Sequence, residues 1–177
     1  MTEPQNHIRR IVTGHSESGE SVVVSDTIIE GITLGGGKNF IKIWGNDTMP
    51  IHPDNGTMPE SLDWFPKPGG HRFFVWVVPP KHENMGELKT QSEIDELLPG
   101  FLKHFEPENP GMHTSDSVDC TYLISGFITL ELDNDKKVDM SPGDSVVQNG
   151  TRHRWHNHST IPAVLITTSI GSKRELK

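Results

Sequence analysis

Two β-rich blocks each carry a histidine. His113 lies near the start of GMHTSDSVDCTYLISG (111–126), and His153 lies in GDSVVQNGTRHRWHN (143–157). Imidazole changes charge near neutrality and is a common metal ligand. A buried imidazole beside a carboxylate makes a general acid/base pair even without metal. Trp155 and Asn157 alternate with His153, so on a strand all three share one face. Trp155 there reads either as a flat wall for an aromatic or polyketide-like substrate or as a core tryptophan. Arg154, His156 and His158 take the opposite face and read as solvent-exposed. Arg72, in HRFFVWVV (71–78), shares a face with Phe74 and Trp76. A strand arginine on an apolar face needs an anion or an acceptor. It is read as a clamp for a substrate carboxylate or phenolate, or as one half of a salt bridge. Trp44 and Trp64 flank the first long loop and line a pocket mouth or brace the loop. The substrate-binding candidates are therefore Arg72, Trp155, Trp44 and Asn157.

The elements that must position these residues are short strands. FITLEL and KVDM form a hairpin across Asp133-Asn134-Asp135, with Phe127, Thr129 and Glu131 on one face and Ile128, Leu130 and Leu132 on the other. Pro142-Gly143-Asp144 and Gly150-Thr151 make turns. Such strands and turns predict a closed or sandwiched antiparallel β architecture with the histidines directed inward. Further strands are predicted at Ile8 to Val12, Val22 to Ser25, Ile28 to Leu34, Phe40 to Trp44 and 71–78. They extend the barrel or pair with a second subunit. One helix is predicted from Thr90 to Phe105. Thr90 and Glu93 form its capping box, and Ile94, Leu97, Leu98, Phe101 and Leu102 form one stripe. That helix reads as packed on the barrel, or as a lid approached through Pro79 to Gln91. Tyr122 falls opposite Asp119, and Cys120 reads as a small buried residue.

Composition narrows the function classes. A chain of 177 residues can bury a core without covalent staples. The net charge of −8 argues against a nucleic-acid partner, which would call for basic clusters. There is no apolar run near 18 residues and hence no membrane helix. The start, MTEPQNHIRR, has no apolar core for a signal peptide. The single cysteine forbids an internal disulfide. A cytoplasmic location is the expectation.

The two blocks resemble the paired motifs of the cupin superfamily. His113 matches the first histidine of the first motif and Gly126 its closing glycine; Asp119 occupies the glutamate position. Gly143, Gly150, His153 and Asn157 match the second motif, with Gln148 in place of a proline. The 16 residues between Gly126 and Gly143 suit the short intermotif segment of small microbial cupins. Ser115 stands where the family carries a second histidine. Arg10 to His15, Pro68 to Phe73 and Val146 to Asn157 resemble a subgroup of small bacterial and fungal cupins. The resemblance implies an all-β jelly-roll barrel, with extra N-terminal strands over 1–70, a barrel core over about 71–170, and one or two short helices. The whole of 1–177 then reads as one cupin domain.

It also implies a ligand set reduced to His113, Asp119 and His153. These two imidazoles and a carboxylate would hold a divalent ion such as Zn, Fe, Mn or Ni, with open positions for substrate. Asp116 and Gln148 are candidates for a fourth ligand. His113, Asp119 and His153 are equally the catalytic candidates. The expected activity is a metal-dependent, non-oxidative lyase, isomerase, decarboxylase or dehydratase step on a small aromatic or enolisable molecule. An oxygenase using ferrous iron and a non-catalytic binding module are the alternatives. The expected partners are a small-molecule substrate and a second copy of the chain, with no organic cofactor, nucleic acid or membrane.

Overall fold

Alternating β-branched and aromatic residues form strands over most of the chain. The computed structural model describes residues 6–58, 63–81 and 89–175. The elements are β1 (His7–His15), β2 (Ser21–Glu30), β3 (Ile32–Gly35), β4 (Lys38–Asn46), β5 (His71–Val78), α1 (Gln91–Leu97), a 3₁₀ turn (Leu102–His104), β6 (Ser117–Ser125), β7 (Ile128–Glu131), a second 3₁₀ turn (Asp133–Asp135), β8 (Lys137–Met140), β9 (Ser145–Asn149), β10 (Arg154–His156) and β11 (Ala163–Gly171).

The fold is all-β, as expected, with a jelly-roll arrangement of two facing sheets. One sheet runs β3-β4-β5-β11-β6-β9, and the other runs β10-β7-β8. Isolated antiparallel bridges, Phe105 to His113 and His113 to His153, carry the second sheet two chains further. Between the sheets lies a cluster of Leu123, Ile128, Met140, Ala163 and Leu165, flanked by Trp76 and Trp155. Leu123 and Leu165 are fully buried, and each such leucine contributes about 1.5–3 kcal/mol. The predicted N-terminal strands divide. β3 and β4 extend the large sheet, whereas β1 and β2 form a separate two-stranded hairpin.

The predicted helix of 90–105 is shorter than its stripe. Its capping box forms, with the Thr90 N–H donating to Glu93 at 2.7 Å and the Glu93 N–H donating to Thr90 at 3.3 Å. The helix ends at Leu97 because Pro99 and Gly100 follow. Proline disfavours the helical region for the residue before it, and Gly100 has φ +75°. Leu97 is therefore exposed, while Leu98 is buried against Leu34 and Trp64, with Ile94 and Phe101 alongside. This contact is the one the packing role calls for. Residues 82–88 of the approach to the helix lie outside the described residues. Cys120 also departs from expectation. It faces away from the barrel, as read, but it is exposed rather than buried, because nothing covers the outer face of β6 there.

Candidate functional site

Strand register decides which side chains meet. On β6 the inward face carries Asp119, Thr121 and Leu123; cross-strand pairing aligns them with Ser169, Thr167 and Leu165 of β11. The same rows continue to Arg72, Phe74 and Trp76 of β5. Trp76, Trp155, Asp119 and His113 keep partial exposure although they face inward, so solvent reaches the interior.

His113 and His153 come together from opposite ends of the two blocks. Each backbone N–H donates to the other's carbonyl at 2.9 Å, and the ring centroids are 4.2 Å apart. The Nδ1 of His113 lies 3.1 Å from the Gly111 carbonyl, and that of His153 lies 2.8 Å from the Thr151 carbonyl. A carbonyl can only accept, so each Nδ1 carries the hydrogen and each Nε2 keeps its lone pair. Burial pushes the pKa of His113 down to about 4, assisted by its neighbours His153 and His104 and opposed by the Gly111 hydrogen bond and by Asp119. Burial also lowers the pKa of His153. Both rings are neutral bases at pH 7.

Asp119 is fixed by hydroxyls. Ser169 makes a short hydrogen bond to its Oδ1, and Ser115 donates to Oδ2 at 3.4 Å. Ser117 in turn donates to Ser115 at 2.8 Å. Ser115 thus occupies the place of the missing histidine and serves the carboxylate. Gln148 is bonded to Thr151 at 2.6 Å, which steadies the carbonyl that orients His153. Asp116 is exposed and held by Arg174.

The rings around this site form one chain. Phe74 meets Trp64 (4.9 Å), Trp64 meets Phe101 (6.0 Å), and Phe101 meets Phe105 (4.8 Å). Phe105 stacks on His113 at 4.6 Å, His153 meets Trp155 at 5.8 Å, and Trp155 meets Trp76 at 5.5 Å. Trp76 and Phe74 are alternate residues of β5, so the chain of rings closes on one strand. Trp155 packs against the core cluster and meets the His153 ring.

Three expected ligand-contacting residues serve the protein instead. Arg72 is 2% exposed. Its five N–H groups go to Asp47, to the Asn46 and His71 carbonyls and twice to the Asp63 carbonyl, at 2.5–3.2 Å. The salt-bridge reading of Arg72 is the one realised, and no donor is left for a substrate. Asn157 is buried. Its amide donates to the Val78 and Ile161 carbonyls at 2.9 and 2.8 Å, and its oxygen accepts from Ser159. It pins the turn before β11. Trp44 is turned outward by a register shift after Lys42, which pairs it with Phe73; the Arg10 guanidinium sits over its ring at 6.0 Å. On the outer face of the small sheet, Arg154 and His156 are half-buried rather than freely exposed. They bond Glu131 at 2.5 and 2.8 Å and hold its pKa down to about 2.

The implied metal can be tested against these side chains. A catalytic zinc site draws three ligands from protein. Two imidazoles present Nε2, but among the described residues no group of three His, Cys, Asp or Glu is placed to hold a metal ion. Asp119 is engaged by two serines. The arrangement as it stands is a paired-base and carboxylate site.

Fold and paired histidine motifs are those of a cupin, and a family model matches them. Residues 101–169 match the cupin domain family. Phomopsin biosynthesis cluster protein C' of Diaporthe leptostromiformis is 40% identical over 131 residues, covering 66% of this chain and 69% of the relative. The cupin-domain-containing oxidoreductase fogC of Aspergillus ruber (strain CBS 135680) is 26% identical over 168 residues, covering 91% of this chain and 71% of that protein. Among solved structures, the cupin domain of Schizosaccharomyces pombe Cnp3 aligns with 96% of this chain and 90% of its own, at 11% identity and a TM-score of 0.48. The chain belongs to the cupin superfamily.

Proposed function

We propose that this cupin is a small-molecule enzyme of secondary metabolism that moves a proton on an aromatic, enolisable substrate, as an isomerase, lyase or dehydratase does. The observation that carries this reading is the pair of neutral imidazoles, each with its Nδ1–H tied to a backbone carbonyl and its Nε2 unspent, set near a hydroxyl-held Asp119. The ring-lined interior suits a flat substrate. The names of the relatives, as members of biosynthesis clusters, support the metabolic setting. In the proposed step, Nε2 of one imidazole takes a C–H proton beside a carbonyl. The C–H electron pair forms the enolate double bond. The imidazolium then returns the proton to another carbon, or to a departing hydroxyl that leaves as water.

Phenylpyruvate is a suitable probe, because it is aromatic and enolisable. In heavy water the protein is expected to accelerate exchange of its C3 hydrogens, followed by NMR, before and after chelator treatment. His153→Gln is expected to abolish the acceleration. No acceleration by the wild type overturns the reading and leaves ligand binding. Acceleration lost with the chelator returns the metal. The name of the Aspergillus ruber relative favours a second, oxidative reading, which would call for a bound metal or another oxidant.

For assembly we propose a homodimer. The β1–β2 hairpin exposes Ile11, Val23 and Ile28 on one face, and the outer face of β6, β9 and β11 exposes Tyr122, Ile124, Val147 and Ile170. Two sheet surfaces with exposed apolar residues, the hairpin's crossed by the Arg9–Asp26 ion pair, allow an isologous pairing in which each hairpin covers the other copy's sheet. Light scattering is expected to give twice the mass of the 177-residue chain, and Ile11→Lys with Val23→Lys to give the monomer. A wild-type monomer would end this proposal.

A further inference from the structure

With every donor of Arg72 taken, the interior holds another cation. Lys42 pairs with Phe74 across β4 and β5 and so lies on the inward face. The same row continues from Phe74 to Thr167 on β11 and from Thr167 to Thr121 on β6. Strands lie about 4.8 Å apart, so cation, ring and two hydroxyls follow one another across the inside of the sheet.

Lys42 is half-buried and makes no hydrogen bond or ion pair among the described residues. Burial lowers its pKa, and Arg72 lowers it further against the pull of Asp47. That carboxylate is itself bonded to Arg72. A half-buried ammonium without an ion-pair partner lacks the compensation such a charge ordinarily has.

The hydroxyls are also one bond short. The Trp76 indole N–H donates to Thr167 Oγ1 at 2.9 Å. Thr167 and Thr121 share a single hydrogen bond at 2.9 Å, and they are 3% and 4% exposed. Two hydroxyls carry two hydrogens, and one bond uses only one. Among the described residues the second hydrogen has no acceptor, whichever threonine carries it.

We propose that Lys42 and the Thr121–Thr167 pair bind an anionic oxygen of the substrate, so that the natural substrate carries a carboxylate or a phenolate. Thr121 and Thr167 lie two residues along their strands from Asp119 and Ser169. The anion is then held one row from the proton-transfer groups. The inference names a substrate class for the site proposed above and rests on that interior being where substrate binds.

The test compares phenylpyruvate with its neutral methyl ester, with binding followed by tryptophan fluorescence and calorimetry. The wild type is expected to bind the acid at least about tenfold tighter than the ester, as a charge-assisted hydrogen bond gives. Lys42→Met is expected to erase that preference by weakening the acid alone. Thr121→Val is expected to weaken the acid about threefold to tenfold, and Thr121→Ser to restore it. A wild type with no preference for the acid overturns the proposal, as does a preference that survives in Lys42→Met. Should Lys42→Met fail to fold, Lys42→Gln answers the same question. A wild type that prefers the acid yet leaves the C3 hydrogens unexchanged is a failure of the proton-transfer reading, not of this subsite.

Discussion

His113 and His153 are joined twice, by reciprocal backbone hydrogen bonds of 2.9 Å and by rings 4.2 Å apart. The backbone bridge fixes the spacing of the imidazoles, so neither ring needs the other's nitrogen to stay in place. Among the described residues neither Nε2 has a hydrogen-bond partner, so both are open to a ligand. Two adjacent imidazoles in a partly dry site also disfavour charge on each other, which keeps the pair neutral.

Acid should destabilise the fold through this pair. The pKa of His113 is depressed to about 4 from an ordinary 6.5. Between those values the unfolded chain binds the proton and the folded chain does not, so stability falls as pH drops from about 6.5 towards 4. Thermal melts across this window should show that decline, with a smaller slope in His113→Gln. A histidine NMR titration that placed His113 near 6.5 would contradict it.

Arg72→Met should cost about 3–5 kcal/mol, since it strips a buried cation from Asp47 and four other hydrogen-bonded contacts. Arg72→Lys should not recover it, because an ammonium cannot reproduce the planar fork. Denaturant titration measures the loss. Phenylpyruvate affinity of the folded fraction should be unchanged, which separates a structural arginine from a substrate clamp.

Gly126→Ala should destabilise by about 3 kcal/mol. Gly126 has φ +81°, and an added Cβ would run into the Pro162 carbonyl and Ala163. The β6–β7 corner and the start of β11 are therefore packed backbone to backbone. Unchanged stability in chemical denaturation would rule this out.

Metal should bind weakly. Protein purified without a histidine tag should carry well under one equivalent of zinc, iron, manganese or nickel by elemental analysis. Chelation should leave the His113 and His153 NMR resonances in place. Near-stoichiometric metal that disappears in both His113→Ala and His153→Ala would instead establish a rearranged two-histidine, one-carboxylate site.

Much of the site was legible in the chain because strand geometry is local. Alternation alone put Trp155 with His153 and set Tyr122 opposite Asp119. The cap at Thr90 and the strand at 71–78 could also be read. Ser169 and Thr167 carried no signal of their own. What makes them part of the site is pairing with Asp119 and Thr121, some 50 residues distant, and cross-strand register is not written in either strand. Lys42 was missed because a lone lysine in a strand reads as a solvent face. Trp44 was misplaced because the register shift after Lys42 reverses which face it takes.

By itself the sequence determined the strand periods, the turn glycines and the inward histidines, since backbone sterics and side-chain alternation act over a few residues. Only the tertiary structure decided how charge was allotted. It spent all of Arg72 on carbonyls and Asp47, gave Asp119 to two serines, and left Lys42 without an ion pair among the described residues, because those outcomes depend on which distant groups reach hydrogen-bonding distance first.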